Sequence, residues 1–256
     1  MIKTMNNNIK ERPILFSADM VRALIQDYHN PGQYKNQTRR TRGLERFNTL
    51  PEFLTERGWE IYDFVEEEPG LWLAISNDES GEFPGIFNPW VRCPYGKVGD
   101  RLWVRETFFE VYDEQFRPTG KYCYAATHQG YVNVLDDDGG IKINKDGSDA
   151  SPWKPCIHMP RKASRILLEI TEIRIERLQK ITSTDARKEG IEHITLDEYD
   201  FLGLWRDYTG KSTGFISPIN SFFSLWEKIK GSGSVDLNPW VWVIKFKVLT
   251  INGKIK

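Results

Sequence analysis

A lysine and a threonine three positions apart, Lys35 and Thr38, are the first residues whose types and spacing could do chemistry. In a helical turn or a tight loop, positions i and i+3 share a face, so the ammonium can approach the hydroxyl. A threonine hydroxyl is inert at its ordinary pKa and becomes a nucleophile only beside a base or a charge. The same segment, Lys35 to Arg42, is also typical of a solvated basic loop. In such a loop, alanine at both positions is expected to cost no more than about 0.5 kcal/mol.

A glutamate near the end of a predicted helix, Glu189, is a candidate acid or base. The pattern from Thr182 to Gly190 predicts a short helix, because Thr182 or Ser183 can cap its start and the glycine stops it. Taken alone, a glutamate at this place is more typical of a helix surface that faces water.

Cationic and aromatic side chains that could bind phosphate or a base occur in three stretches. Guanidinium groups suit bidentate recognition of phosphate. A strand over 101–107 would place Arg101, Trp103 and Arg105 on one face, where the indole could stack on a base. The same pattern also fits a tryptophan that covers the core and an arginine that pairs with Glu106. The candidate ligand-binding residues are Arg39, Arg40, Arg42, Arg101, Trp103, Arg105, His158 and Arg161.

The cysteines and histidines do not predict a metal site. Cys156 and His158 could form a metal site together with Cys93 or Cys123. However, Cys-x-His is not a standard zinc spacing, and no second paired motif occurs. Three scattered cysteines are also too few for a disulfide framework, which indicates a reducing compartment. No nucleotide phosphate loop or dinucleotide glycine motif is present, so we expect neither a metal nor a cofactor.

Charge and hydropathy exclude several classes of protein. The 256 residues carry 35 basic and 36 acidic side chains, which excludes a polycationic nucleic-acid coat protein but leaves room for a local basic patch. No apolar run approaches the roughly 18–20 residues of a membrane span. The first ten residues lack the apolar region of a secretion signal, so we expect a cytoplasmic location and no membrane partner.

The elements that must position these residues are mostly strands. The pattern predicts a strand over 12–16, a helix that Ser17 caps, several further strands, two helical segments at 197–207 and 219–230, and a last strand over 238–249. This order predicts an α+β fold, mostly β, in which helices flank a small barrel. We expect a disordered tail over 1–11 and a single domain over 12–250.

Six segments in this order resemble the ASCH-domain proteins of phages and prophages, which belong to the PUA-like superfamily. They read PILFSADMVRALI, KNQTRR, CPYGKVGDRLWVRET, WKPCIHMPRKASRILLEI, ITSTDARKEGIE and NPWVWVIKF. The resemblance covers about residues 12–249, with variable insertions at about 43–90 and 108–150, and the pair GDRLWVRE and IHMPR is its most specific part. It implies a PUA-like β-barrel with helices packed on it and a cleft for RNA or a nucleotide.

Some small bacterial relatives of that family are amidohydrolases that act on N4-acetylcytidine. Their motif, Lys-Thr-x-Thr-x-Arg followed by a glutamate in a later helix, matches Lys35, Thr38, Arg40 and Glu189, while Asn36 stands where the motif has its other threonine. The resemblance implies that the lysine lowers the cost of deprotonating the threonine and that the glutamate carries the proton to the leaving amine. It also implies that arginines hold phosphate or developing negative charge.

Three functions therefore stay open. The first is a nucleic-acid- or nucleotide-binding domain that recognises RNA or a modified nucleoside in a basic cleft. The second is the amidohydrolase, and the third is a phage assembly or host-interaction scaffold, which would act in the host cytoplasm. The first two require that the basic segment, the tryptophan strand and the acidic helix meet in one concavity.

Overall fold

Strands outnumber helices in the computed structural model, which describes residues 9–77, 87–115, 117–129, 151–195 and 203–252. The strands are β1 (Glu11–Leu15), β2 (Gln37–Arg40), β3 (Ile61–Glu68), β4 (Leu71–Ser76), β5 (Trp90–Arg92), β6 (Arg101–Arg105), β7 (Phe108–Tyr112), β8 (Pro118–Tyr124), β9 (Leu167–Arg177), β10 (His193–Ile194), β11 (Leu204–Trp205) and β12 (Trp240–Thr250). The helices are α1 (Ala18–His29), α2 (Glu45–Asn48), α3 (Glu52–Thr55), α4 (Ser183–Lys188) and α5 (Pro218–Lys230).

The largest sheet joins five strands in the order β1-β6-β9-β12-β2. Its centre is the antiparallel pair of β9 and β12, in which Ile173 lies opposite Ile244. β12 is buried along most of its length, as expected for a strand that is covered on both faces. β1 runs parallel to β6 at one edge, and β2 runs antiparallel to β12 at the other. The sheet therefore carries the start of the chain and the basic segment at its two edges.

The predicted barrel is not closed, which corrects the fold derived from the sequence. No ladder joins β1 to β2 in the part of the chain that the structure describes. A side chain spans the gap instead, because Nη2 of Arg40 donates a hydrogen bond to the carbonyl of Leu15 at 2.7 Å. Closure of a barrel depends on strand tilt and stagger, which hydrophobic alternation does not encode. The mixed, strand-rich character is confirmed.

The helix predictions are right where a capping residue supported them. Oγ of Ser17 accepts from the amide of Met20 and begins α1, and Oγ1 of Thr182 accepts from the amide of Asp185 and begins α4. α5 begins with a proline, whose fixed φ suits the first turn of a helix. The predicted helix at 197–207 is not confirmed: 196–202 lie outside the described residues, and Leu204–Trp205 is a strand.

The two predicted insertions contribute smaller sheets. Residues 43–90 contain α2, α3 and most of the three-stranded sheet β3-β4-β5, and the described part of 108–150 forms the β7-β8 hairpin. Residues 1–8 of the predicted tail and residues 130–150 lie outside the described residues, and β1 begins at Glu11. None of the described helices is both long and apolar enough to cross a membrane.

Candidate functional site

The basic segment lies in a buried edge strand and not in an exposed loop, which corrects the sequence prediction. Lys35 is 0% exposed and Thr38 is 1% exposed. Residues 37–40 form β2, in which Thr38 lies opposite Ile244 of β12. Charged groups are buried at acceptable cost only when they are paired and hydrogen-bonded. The acids that permit this burial come from β9 and α4, far along the chain.

Lys35 is held against the end of α4 by three oxygen atoms. Its Nζ donates to the carbonyls of Gln37 at 3.0 Å and of Glu189 at 2.6 Å, and lies 3.6 Å from Oε2 of Glu189. Burial lowers the pKa of Lys35 to about 8, while the Glu189 carboxylate acts in the opposite direction. Every one of these neighbours is an acceptor, so the ammonium can direct a donor at each of them.

Arg39 holds the other oxygen of the same carboxylate. Its Nη1 donates to Oε1 of Glu189 at 2.9 Å, and its Nη2 donates to Glu176 at 2.6 Å and lies 3.4 Å from Asp185. The guanidinium is thus buried among three carboxylates. The sequence predicted that Arg39 forms part of an exposed binding surface, and its burial corrects this. Arg39 instead fixes the orientation of Glu189.

Thr38 and Glu189 both line one cavity of about 240 Å³. Residues 38–42 form one side of this cavity, and α5 forms another with Phe222 and Trp226. The cavity therefore combines a hydroxyl, a carboxylate and aromatic surface, and Lys35 touches the carboxylate from behind. Of the three segments that were expected to meet, the basic segment and the acidic helix do so.

Tyr95 and Lys230 also line the cavity, and sequence reasoning did not single them out. Phe222 and Trp226, which are spaced four apart on α5, are buried in the core and also form the cavity wall. Tyr95 precedes a glycine turn, and nothing in its local sequence marks it. Such residues come together only through the tertiary fold.

Gly190 closes the contact between α4 and the start of β2. Its φ of +83° is in the left-handed region, which favours glycine. A Cβ at this position would lie 2.8 Å from Cβ of Lys35 and 2.9 Å from Cβ of Ala23. The predicted helix stop is therefore also a packing requirement, because only a glycine lets Lys35 approach the end of α4 this closely.

The remaining predicted ligand-binding residues form a second patch, which lies at β1 and β6. The predicted alternation is present: Arg101, Trp103 and Arg105 are half-buried, while the residues between them are buried. The guanidinium of Arg105 lies 5.5 Å from the Trp103 ring centroid and donates to the carbonyl of Ile157, which precedes the exposed His158. Nε of Arg161 bonds Oε2 of Glu11 at 2.8 Å, and Glu11 lies beside Arg101 in the sheet.

No residue of this second patch lines the cavity. The expectation of a single concavity is therefore wrong for the tryptophan strand. Glu106 does not pair with Arg105 but forms two hydrogen bonds with Arg165, at 2.9 and 3.0 Å. The cations of the patch are thus partly free to meet solvent.

The described side chains include no group of three His, Cys, Asp or Glu residues that could hold a metal ion. Comparison of the chain with protein-family models, with curated proteins and with solved structures gave no significant match. The geometry of the cavity and of the second patch therefore carries the functional argument.

Proposed function

We propose that the cavity binds a pyrimidine nucleoside whose exocyclic nitrogen carries an acyl group, and that the protein hydrolyses this amide. One observation carries the proposal: Thr38 and Glu189 line the same small cavity, and Lys35 contacts Glu189. These are the three residues that the resemblance to ASCH-domain amidohydrolases implied.

The chemistry requires a nucleophile, a proton carrier and a positive charge. The Thr38 hydroxyl attacks the amide carbonyl, or holds the water that attacks it, and its proton passes to Glu189. Glu189 then returns the proton to the exocyclic nitrogen as the carbon–nitrogen bond breaks. The Lys35 ammonium touches Glu189 from behind the cavity, so its positive charge acts through that carboxylate, which it holds in place and in the ionised form. If threonine attacks directly, water releases the acyl group from the resulting ester.

The size and lining of the cavity suit one small ligand. Its volume of about 240 Å³ lies below the usual 300–1,000 Å³ of drug-sized pockets. Phe222, Trp226 and Tyr95 supply aromatic surface for a planar base. A polynucleotide could present one nucleoside to this cavity but could not enter it as a whole.

The fold family is part of the same proposal. The six segments that resemble ASCH-domain proteins fall on the central sheet, its helices α1 and α4, and the residues that lead into β6 and β9. The proposed insertions fall mainly on the peripheral sheets. We infer that the five-stranded sheet corresponds to a PUA-like core that is open on one side.

Mass spectrometry of the reaction products tests the amidohydrolase. We expect the wild-type protein to convert N4-acetylcytidine to cytidine and acetate. Thr38→Val keeps the shape of the side chain and should abolish release, whereas Thr38→Ser keeps a hydroxyl and should retain measurable turnover. An acetyl group found on intact protein would assign the attack to the threonine itself. Absence of product from a panel of acylated nucleosides would overturn the proposal.

A second candidate function is the binding of single-stranded RNA at the patch on β1 and β6. The arrangement of Arg105 over Trp103, with Arg101 on the same face, favours it because stacked indole and guanidinium groups bind bases and phosphates. Fluorescence anisotropy of a short RNA should show weaker binding after Trp103→Ala, and binding that falls steeply with salt. Trp90→Ala, at an exposed tryptophan outside the patch, is the matched control. Equal binding by both variants would exclude this function.

A further inference from the structure

We propose that the substrate of the cavity carries a phosphate group, which Arg40, Arg42 and Lys230 bind at the cavity wall. The inference rests on the proposed function, which gives the substrate as an acylated nucleoside. It adds that this substrate is a nucleotide and not a neutral nucleoside. All three cations line the same cavity as Thr38 and Glu189.

These three cations differ from the two that hold Glu189. Lys35 and Arg39 have carboxylate oxygens within 4.0 Å, whereas no described carboxylate lies that close to Arg40, Arg42 or Lys230. Glu189 bonds Lys35 and Arg39 directly, and it attracts Arg40 without contacting it. The cavity wall thus carries three cationic groups that form no ion pair with a described carboxylate, and such unpaired cations suit an anion.

The fold fixes two of the three cations in place. Arg40 donates to the carbonyl of Leu15, and its guanidinium lies 5.1 Å from the Phe16 ring centroid. Nζ of Lys230 donates to Oγ1 of Thr41 at 3.1 Å, which brings the end of α5 against the residue that follows β2. A cation whose position is set before binding loses less conformational entropy when it meets an anion.

Arg42 and Tyr95 complete this side of the cavity. The backbone of Arg42 is fixed because its carbonyl accepts from Nε1 of Trp242 at 3.1 Å, while its side chain is exposed. Tyr95 lines the cavity together with Arg40 and Arg42; burial raises the pKa of its phenol, while the two cations act in the opposite direction. The phenol stays protonated at neutral pH and can donate a hydrogen bond beside the two guanidinium groups.

Glu45 is the remaining acid among the described residues that line the cavity. It is exposed, and its Oε2 accepts from the backbone amide of Gly43 at 2.8 Å. Three cations against this one carboxylate leave a net positive wall. A neutral acylated nucleoside would not use that charge, whereas a phosphate would accept charge-assisted hydrogen bonds from it.

Turnover of matched substrates tests the inference. N4-acetylcytidine is compared with its 5′-monophosphate and with a trinucleotide that carries N4-acetylcytidine in the middle. We expect kcat/KM to be about tenfold or more higher for a phosphate-bearing substrate, the size of one charge-assisted contact. In Arg42→Gln/Lys230→Gln the preference should fall to near one. Lys228→Gln, on the same helix but outside the cavity, should keep it.

The outcomes separate this inference from the proposed function. Equal kcat/KM for the nucleoside and both phosphate-bearing substrates in the wild-type protein would overturn the phosphate site while leaving the hydrolase intact. A preference for the monophosphate identifies a nucleotide, and a preference for the trinucleotide identifies an internal phosphodiester. If nothing is hydrolysed, calorimetry of cytidine 5′-monophosphate against cytidine decides: tighter binding of the monophosphate that the double variant loses supports the site, and equal binding overturns it.

Discussion

The ammonium of Lys35 and the carboxylate of Glu189, which are 154 positions apart in the sequence, lie 3.6 Å apart beside the proposed active-site cavity. Their side chains are 0% and 3% exposed, so water stabilises neither charge. The same ammonium also bonds the backbone carbonyl of Glu189. One contact therefore joins the residues that precede β2 to the end of α4 and holds the proposed proton carrier, Glu189.

Replacement of Lys35 should destabilise the fold strongly. Lys35→Met keeps the length of the side chain but removes the charge, which leaves the buried Glu189 with one ion-pair partner, Arg39, among the described residues. Loss of one partner from a buried ion pair costs about 3–5 kcal/mol. We expect a decrease in the free energy of unfolding near the lower end of that range, measured by urea denaturation. Lys228→Met, on an exposed lysine, should change it by less than about 0.5 kcal/mol. A small effect at both positions would support the exposed loop that the sequence suggested.

The contribution of Lys35 to the free energy of unfolding should rise with pH above about 8. Burial lowers the pKa of Lys35 to about 8 in the folded state, whereas its ordinary value is 10.5. Between these values the unfolded chain binds more protons than the folded protein, so the free energy of unfolding increases with pH. Cys93 and Tyr208, whose pKa values burial raises to about 12, act in the opposite direction. Their contributions cancel when the free energy of unfolding of Lys35→Met is subtracted from that of the wild type. This difference should increase from pH 8 to 10.

The rate of hydrolysis should fall over the same pH range. The proposed mechanism uses Lys35 as an ammonium, and this form is lost above the pKa of about 8. The profile of kcat/KM reports groups of the free enzyme, so its alkaline side should have a midpoint near 8. An ordinary lysine would place that midpoint more than two units higher. A rate that increases through pH 8 would mean that the neutral amine acts as the base, contrary to the acceptor-only surroundings of Nζ.

The sequence predicted the elements that local chemistry determines. Ser17 and Thr182 mark helix starts because their hydroxyls cap a helix within three residues, and the alternation of Arg101, Trp103 and Arg105 follows from the period of a strand. The types of residue that the cavity needs, Lys35 and Thr38, were also visible from their spacing.

What the sequence could not predict depends on partners far along the chain. The basic segment was read as solvated because its neighbours are polar, yet Glu176 and Asp185 neutralise Arg39 from positions 137 and 146 residues away. The prediction of a closed barrel was wrong because alternation specifies which face of the sheet a residue occupies and not the tilt of the strands. Lys230 and Tyr95 reach the cavity from separate elements, which no local pattern connects.

Arg39 should act as a positioning residue for Glu189. We expect Arg39→Gln to lower kcat by about tenfold or more with little change in KM, because the carboxylate loses a charge-assisted bond that sets its orientation. Arg39→Lys should restore part of kcat, since one ammonium replaces one contact but not the guanidinium fork. Arg174→Gln is the matched control: Arg174 pairs with Glu176 and Asp185 as Arg39 does, but not with Glu189. If Arg174→Gln lowers kcat equally, the effect belongs to the ion-pair network and not to the contact with Glu189.

Gly190→Ala should damage both folding and activity, because the new methyl group would collide with the side chain that organises the site. Left-handed backbone costs a non-glycine residue about 1–2 kcal/mol, and overpacking adds about 1–3 kcal/mol. Gly210→Ala separates these two costs: its φ is +73°, but no atom lies within 4 Å of the added Cβ. Urea denaturation should therefore show a loss of about 1 kcal/mol for Gly210→Ala and of about 3 kcal/mol for Gly190→Ala. Equal losses at the two positions would mean that Lys35 and Ala23 yield freely, and then the close approach of β2 to α4 would not be what fixes the ammonium beside Glu189.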